Sequence, residues 1–177
     1  RRLEAVPEAV ASPPVHHPAA LRAQLLAEQG RFDQAITELR RALVDEPEYG
    51  QHHAFLAQLL AAGEKFDDAE REAQQGIRLA PDDALCHYSL GQVLIARRRW
   101  ADAASVLAEA IALEPEDPDF HAALAQVRLA QKKWSDALAS VDAGLQFDPE
   151  HVDCKQLRSV ALIRLGRADE ASDTLDR

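Results

Sequence analysis

Read from its apolar positions, the chain alternates short amphipathic stretches with polar turns, and the alternation repeats. Ala35, Ala69, Ala103, Ala137 and Ala171 recur every 34 residues. An aromatic residue stands three positions before each of the first four, at Phe32, Phe66, Trp100 and Trp134, and Ala168 takes that place in the fifth. A proline stands twelve positions after each of the first four, at Pro47, Pro81, Pro115 and Pro149. A fixed period of this length belongs to helix–turn–helix repeats, whose apolar faces are buried only by stacking on a neighbour. The units are residues 16–49, 50–83, 84–117 and 118–151, with a partial fifth over 152–177. In the third unit the apolar spacing predicts one helix near Ala84–Arg97 and another near Ala101–Leu113. Proline closes each unit because it cannot continue a helix and restricts the residue before it.

The remaining columns have packing reasons. Ala23, Ala57, Gly91, Ala125 and Ser159 are small and let the first helix of each unit approach its neighbour closely. The Ala35 column does the same on the second helix, and a bulkier side chain there should overpack the contact by about 1–3 kcal/mol. Leu56, Leu90 and Leu124 fill the hairpin interior, and the aromatic column plugs the hairpin at its turn. Residues 1–15, broken by Pro7, Pro13 and Pro14, fall outside the period and read as a linker.

His87, Leu90 and Gly91, followed by Trp100, Ala103, Leu107, Ala110 and Pro115, resemble the tetratricopeptide repeat. The likeness runs over residues 16–177. It implies an all-α solenoid of five antiparallel helix pairs, the last incomplete, wound as a right-handed superhelix. The first helices would line a concave groove that receives a peptide, strand or helix of a partner. Several positions depart from the pattern. Arg22 and Arg158 replace the usual leucine, and Arg128 interrupts the column of Leu26, Leu60, Leu94 and Leu162. Gly76 and Gly144 replace alanine in second helices, where glycine costs helix stability. The fifth unit lacks both the aromatic plug and a terminal polar helix. Its leucines Leu162, Leu165 and Leu175 are therefore expected to lie open and to promote self-association.

One column is polar where the resemblance places the groove. Gln24, Gln58, Gln92 and Gln126 recur with the period and give way only at Val160. They share a helical face with Ala20, Ala54, Tyr88 and Ala122, and with Ala27, Ala61, Ile95 and Leu129. A primary amide offers two donors and an acceptor, as the backbone of a ligand requires. Two readings stand: a ladder of amides gripping a partner segment around an apolar centre of Tyr88, Ile95 and Leu129, or an ordinary polar position multiplied by duplication. Chaperone receptors of the resembled family clamp a terminal carboxylate with groove lysines and asparagines, and the equivalent residues here do not. A segment with apolar anchors and neutral or basic flanks fits better.

Charge adds a second pattern. Arg31, Lys65, Arg99, Lys133 and Arg167 recur at the turn within each unit and form a basic rim, while Glu46, Asp82, Glu114 and Asp148 belong to an acidic one. The rims either complement helix ends or orient a polar partner. The whole chain carries 20 Lys and Arg against 30 Asp and Glu, a net charge of −10, which disfavours nucleic acid and anionic membrane surfaces. No apolar run is long enough to span a bilayer.

Catalytic chemistry finds no support. There is no nucleophile elbow, phosphate loop, HExxH or CxxC motif, so we expect no catalytic residue, no metal and no cofactor. His53, His87 and His121 occupy one column, spaced too far apart for a single ion; each is a packing aromatic with one hydrogen bond, or a pH-sensitive element of the groove. Asp67, Asp68, Asp82 and Asp83 open helices and read as caps. Cys86 and Cys154 stand two repeats apart and read as reduced packing residues, in keeping with the cytoplasm. The chain opens on Arg1, and we read it as a piece of something longer or a processed form. The function expected is a scaffold or adaptor that binds a protein or peptide. The alternatives are the recruiting portion of a larger enzyme, such as a glycosyltransferase or kinase, and a self-assembling array.

Overall fold

A computed structural model describes residues 17–175 and, for side chains, residues 17–171. Among the described residues the secondary structure is ten α-helices with no strand: α1 Pro18–Glu28, α2 Phe32–Asp45, α3 Gly50–Ala62, α4 Phe66–Leu79, α5 Ala84–Ala96, α6 Trp100–Leu113, α7 Pro118–Ala130, α8 Trp134–Phe147, α9 Val152–Arg164 and α10 Ala168–Leu175. The linker read over residues 1–15 lies outside the described residues.

One local device turns the chain from each first helix into the second. Gly30, Glu64, Arg98, Lys132 and Gly166 have φ of 71, 57, 58, 61 and 77°. After Gly30, Glu64, Lys132 and Gly166 that left-handed step swings the following N–H back onto the helix just ended. Arg31 N donates to Leu26 O at 2.8 Å, and Lys65, Lys133 and Arg167 donate to Leu60, Arg128 and Leu162 O at 2.9 Å. This closure satisfies carbonyls that a helix end leaves orphaned. Glycine suits such a φ; Glu64, Arg98 and Lys132 accept it at a steric cost. The aromatic residue that follows begins the second helix half-buried.

A second device closes the proline end. Nε2 of His53, His87 and His121 lies 3.1, 2.8 and 2.8 Å from the carbonyl oxygens of Pro47, Pro81 and Pro115. A carbonyl only accepts, so each histidine donates from Nε2. The first reading of that column, a packed aromatic with a hydrogen bond, therefore has a concrete partner. Carboxylates cap nearby: Asp83 accepts from Leu85 N and Asp117 from Asp119 N, both at 2.9 Å.

The chain divides into two compact units between Ala96 and Arg97. In the first unit the core is built on α3, where Phe55, Leu56, Leu59 and Leu60 are buried together with Leu39 of α2 and Ala69 and Ala73 of α4. Each fully buried leucine contributes about 1.5–3 kcal/mol. Gly50 and Gly76 let two backbones approach: a Cβ on Gly50 would lie 2.9 Å from Gly76 O, and one on Gly76 would lie 3.0 Å from Gly50 O. The glycine that weakens helix propensity at 76 thus permits the α3–α4 contact.

In the second unit α7 pairs with α8 and α9 with α10. Ala125, Ala137, Val141, Cys154 and Leu162 form one core cluster, with Leu129, Leu157 and Leu165 packed against it. This corrects the expectation for Leu162, which has 0% exposure because Ala171 of α10 folds onto the same cluster, while Leu165 is half-buried. The side chain of Leu175 lies outside the described residues. The departing arginines have partners. Arg128 donates to Asp136 O at 2.9 Å and to the Ser140 hydroxyl, tying α7 to α8. Arg22 pairs with Glu38 at 2.8 Å and Arg158 with Asp142 at 2.7 Å.

Candidate functional site

In the first unit, Gln24, Gln58 and Gln92 come at the same turn of α1, α3 and α5, and all three are half-buried. Ala20 and Ala54, one turn earlier, are buried, so the amides rise from a floor of small side chains. Gln92 Nε2 donates to the Tyr88 hydroxyl at 2.6 Å. Tyr88 itself is only 9% exposed. It is a packed platform that orients Gln92, and it offers less free aromatic surface than its position in the sequence suggests. Ile95 lies half-buried one turn beyond Gln92. Gln58 Oε1 is buried and has no hydrogen-bond donor. Such an acceptor costs free energy until a donor reaches it.

In the second unit, Gln126 of α7 is exposed and Leu129 half-buried. The largest apolar exposure comes from α9, which the amide pattern had passed over: Val160 is 42% and Ile163 59% exposed, with Val152 at 62% near the start of the helix. The signal was present in the sequence. Val160 is the one break in the glutamine column, and Ile163 continues the column of Leu129.

The basic rim is less basic than its sequence implies. Arg31, Lys65, Arg99 and Lys133 are the N-caps of α2, α4, α6 and α8, and none caps through its side chain. A cation at a helix N-terminus is opposed by the macrodipole. Acids in the first turn offset it: Arg99 pairs with Asp102 at 2.8 Å, Arg167 with Glu170 at 2.6 Å, and Lys65 reaches Asp33 at 3.6 Å. Arg31 donates to Gln29 at 3.2 Å. Lys133 is exposed.

Two neighbouring histidines of α3 differ. His53 Nδ1 lies 2.7 Å from Glu72 while Nε2 faces Pro47 O. Both ring nitrogens meet acceptors, and the Glu72 hydrogen bond holds the imidazole above its usual value of 6.5. His52 is buried, and desolvation pushes it below that value. Its Nδ1 has no hydrogen-bond partner, with Glu46 Oε2 3.7 Å away. Cys86 and Cys154 are free and buried, and desolvation pushes both thiols up to about 12. Among the described residues, no group of three or more His, Cys, Asp or Glu is placed to hold a metal ion. Among the same residues, no helix is long and apolar enough to cross a membrane.

Tetratricopeptide repeat signatures match residues 21–84, 94–158 and 128–177. The chain belongs to the tetratricopeptide repeat family. Its helices follow those of solved tetratricopeptide proteins. A thermophilic member from Thermus thermophilus superposes with a TM-score of 0.79 at 20% identity, over 88% of this chain and 86% of that one. MamA of Desulfovibrio magneticus RS-1 gives 0.72 at 17% identity, over 92% and 94%. YrrB, described as a tetratricopeptide protein with an unusual peptide-binding site, gives 0.64 at 19% identity, over 90% and 82%. At these identities the likeness establishes the tetratricopeptide fold alone. No curated protein matches by sequence.

Proposed function

We propose that this tetratricopeptide chain is a protein–protein interaction module that holds a segment of a partner on the faces of its first helices. The observation that supports this reading most is the amide column. Gln24, Gln58 and Gln92 are half-buried on one face of the first unit, and Gln58 carries an acceptor with no donor. With the Gln58 side chain turned outward, a ligand N–H would satisfy an acceptor that the fold leaves buried and unpaired. The peptide-binding description of YrrB supports the same class of function without naming a ligand for this chain. No residue of the amide column belongs to the buried apolar core, so binding and folding should separate.

The test compares the native chain with a Gln58→Ala, Gln92→Ala double variant. Partners captured quantitatively by the native chain should be lost by the variant, with affinity weakened by about 1–3 kcal/mol and thermal stability nearly unchanged. A partner that ignores both changes but responds to charge reversal at Arg99 or Lys133 would move the function to the basic rim.

A further inference from the structure

Two neighbouring positions at the start of α3 leave the pattern of the repeat. In the later repeats the column of His52 holds Cys86, Phe120 and Cys154, all fully buried. His52 is buried as deeply, and its Nδ1 has no hydrogen-bond partner. The column of Tyr49 continues as Asp83, Asp117 and His151, and each of these accepts a backbone N–H from the helix that follows it. Tyr49 makes no such cap for α3. One position forgoes an apolar core residue and the other a helix cap, and both exchanges cost stability.

The two side chains meet, with ring centroids 4.4 Å apart in an edge-on contact. Tyr49, with Glu46, Pro47 and Glu48, lines an open cleft of about 430 Å³ at the link between α2 and α3. Glu46 Oε2 stands 3.7 Å from His52 Nδ1, so the orphaned nitrogen lies behind the cleft wall. Hydrogen bonds hold the link in place. His53 Nε2 donates to Pro47 O at 3.1 Å, and the Tyr49 hydroxyl donates to Gln51, whose amide donates to Asp83 at 2.6 Å. Glu46 and Glu48 have no lysine or arginine partner among the described residues. Burial raises the Tyr49 phenol above its usual 10, and Asp83 and Glu46 push the same way, which marks a negative potential around the ring.

We infer that this cleft takes the guanidinium of an arginine side chain on a partner protein, held between Glu46 and His52 and against the ring of Tyr49. Resting on the interaction reading above, the inference adds a subsite outside the amide column and the chemistry of its guest. A guanidinium carries five donors in one plane and no acceptor. That suits a carboxylate, the lone pair of an imidazole nitrogen and the face of an aromatic ring together. An ammonium suits the carboxylates but lacks the planar fork. His52 Nδ1 is sealed from solvent, so the guest reaches it only as Glu46 swings outward. One –NH2 group bridging two acceptors at about 2.9 Å holds them about 5 Å apart, so the swing required is about 1 Å. Desolvation holds His52 below 6.5, with His17 and His53 adding to the effect and Glu46 opposing it. The imidazole is therefore neutral at neutral pH, and one of its ring nitrogens carries a lone pair.

The experiment titrates the full chain, followed by NMR, with the Nα-acetyl amides of arginine, lysine and citrulline. The arginine amide should shift the resonances of Tyr49 and His52 with a Kd on the order of 1 mM. The lysine amide should bind roughly tenfold more weakly, and the citrulline amide, neutral and of similar shape, should not bind. Glu46→Gln should weaken arginine binding roughly tenfold. His52→Phe and His52→Cys, which restore residues of the later repeats, should abolish it, and at least one of them should keep the native melting temperature. The nitrogen-15 spectrum of His52 should show Nδ1 without a proton. A proton on Nδ1 overturns the inference, because that nitrogen then donates towards Glu46 and has no lone pair. Equal binding of arginine and citrulline amides overturns it, as does arginine binding that survives both His52 variants. Free arginine binding more tightly than its amide also overturns it, because the cleft then reads a small amino acid instead of a side chain. A natural partner that loses affinity with Gln58→Ala, Gln92→Ala but not with Glu46→Gln or His52→Phe overturns this inference while leaving the interaction function standing.

Discussion

Gly144 faces Cys154 so closely that a Cβ added to the glycine would stand 2.9 Å from the sulfur, and 3.0 Å from Cβ of His121. Two repeats earlier, a Cβ on Gly76 would lie 3.5 Å from the Cys86 sulfur. Gly144→Ala should therefore destabilise the chain by about 1–3 kcal/mol through overpacking. Helix propensity alone would give a gain of about 0.5–1 kcal/mol. Adding Cys154→Ala should recover part of the loss, because it removes the nearer of the two obstructions. Denaturant midpoints of the single and double variants measure this. A stabilised single variant would show that α8 shifts freely.

Lys132 holds φ at 61°, where the two outermost turns have glycine. Lys132→Gly should raise stability by about 0.5–1 kcal/mol, the relief of a crowded Cβ less the added freedom of the unfolded chain. Gly166→Ala, with φ of 77° and no neighbouring atom in the way of a Cβ, should lower stability through backbone strain alone. Urea titrations of both variants test the pair together.

His53 should couple stability to pH through Glu72. Its folded pKa lies above 6.5, with the Glu72 hydrogen bond the largest cause, Pro47 O assisting, and Arg78 opposing. The contribution is therefore fully present below 6.5 and lost as pH rises through the elevated folded value. His52 acts in the opposite sense: its depressed pKa removes stability as pH falls below 6.5. Comparing the native chain with Glu72→Gln separates the two. The stability difference should be larger at about pH 5.5 than at about pH 8.5. A difference that grows with pH would contradict the pairing.

Cys86 and Cys154 should resist thiol reagents in the native state. Both are buried, and desolvation pushes their thiols up to about 12, so the thiolate that reacts is scarce at neutral pH. Labelling should follow global unfolding, with a rate that rises steeply across the denaturation midpoint. Rapid stoichiometric labelling of the folded chain would mean that α5 or α9 opens locally.

The helix pairs were legible in the sequence, because a 34-residue period in alanine, aromatic and proline positions leaves little other way to bury an apolar face. The amide column and the cation column were also visible, since each needs only residue identity and phase. Partnership was not. Whether Tyr88 offers its ring or only its hydroxyl, and whether the rim cations carry free charge or sit against Asp102 and Glu170, depends on rotamers and on neighbours along and across helices. The C-terminal leucines show the difference most clearly. From the sequence, Leu162 belonged to an uncovered unit; in the fold, α10 closes over it, and Val160 and Ile163 hold the exposed apolar surface instead. The period of a repeat fixes which positions lie on a common face. Only the packing of α10 against α9 decides which of those faces meets solvent, because burial belongs to contacts between helices and not to the pattern within one.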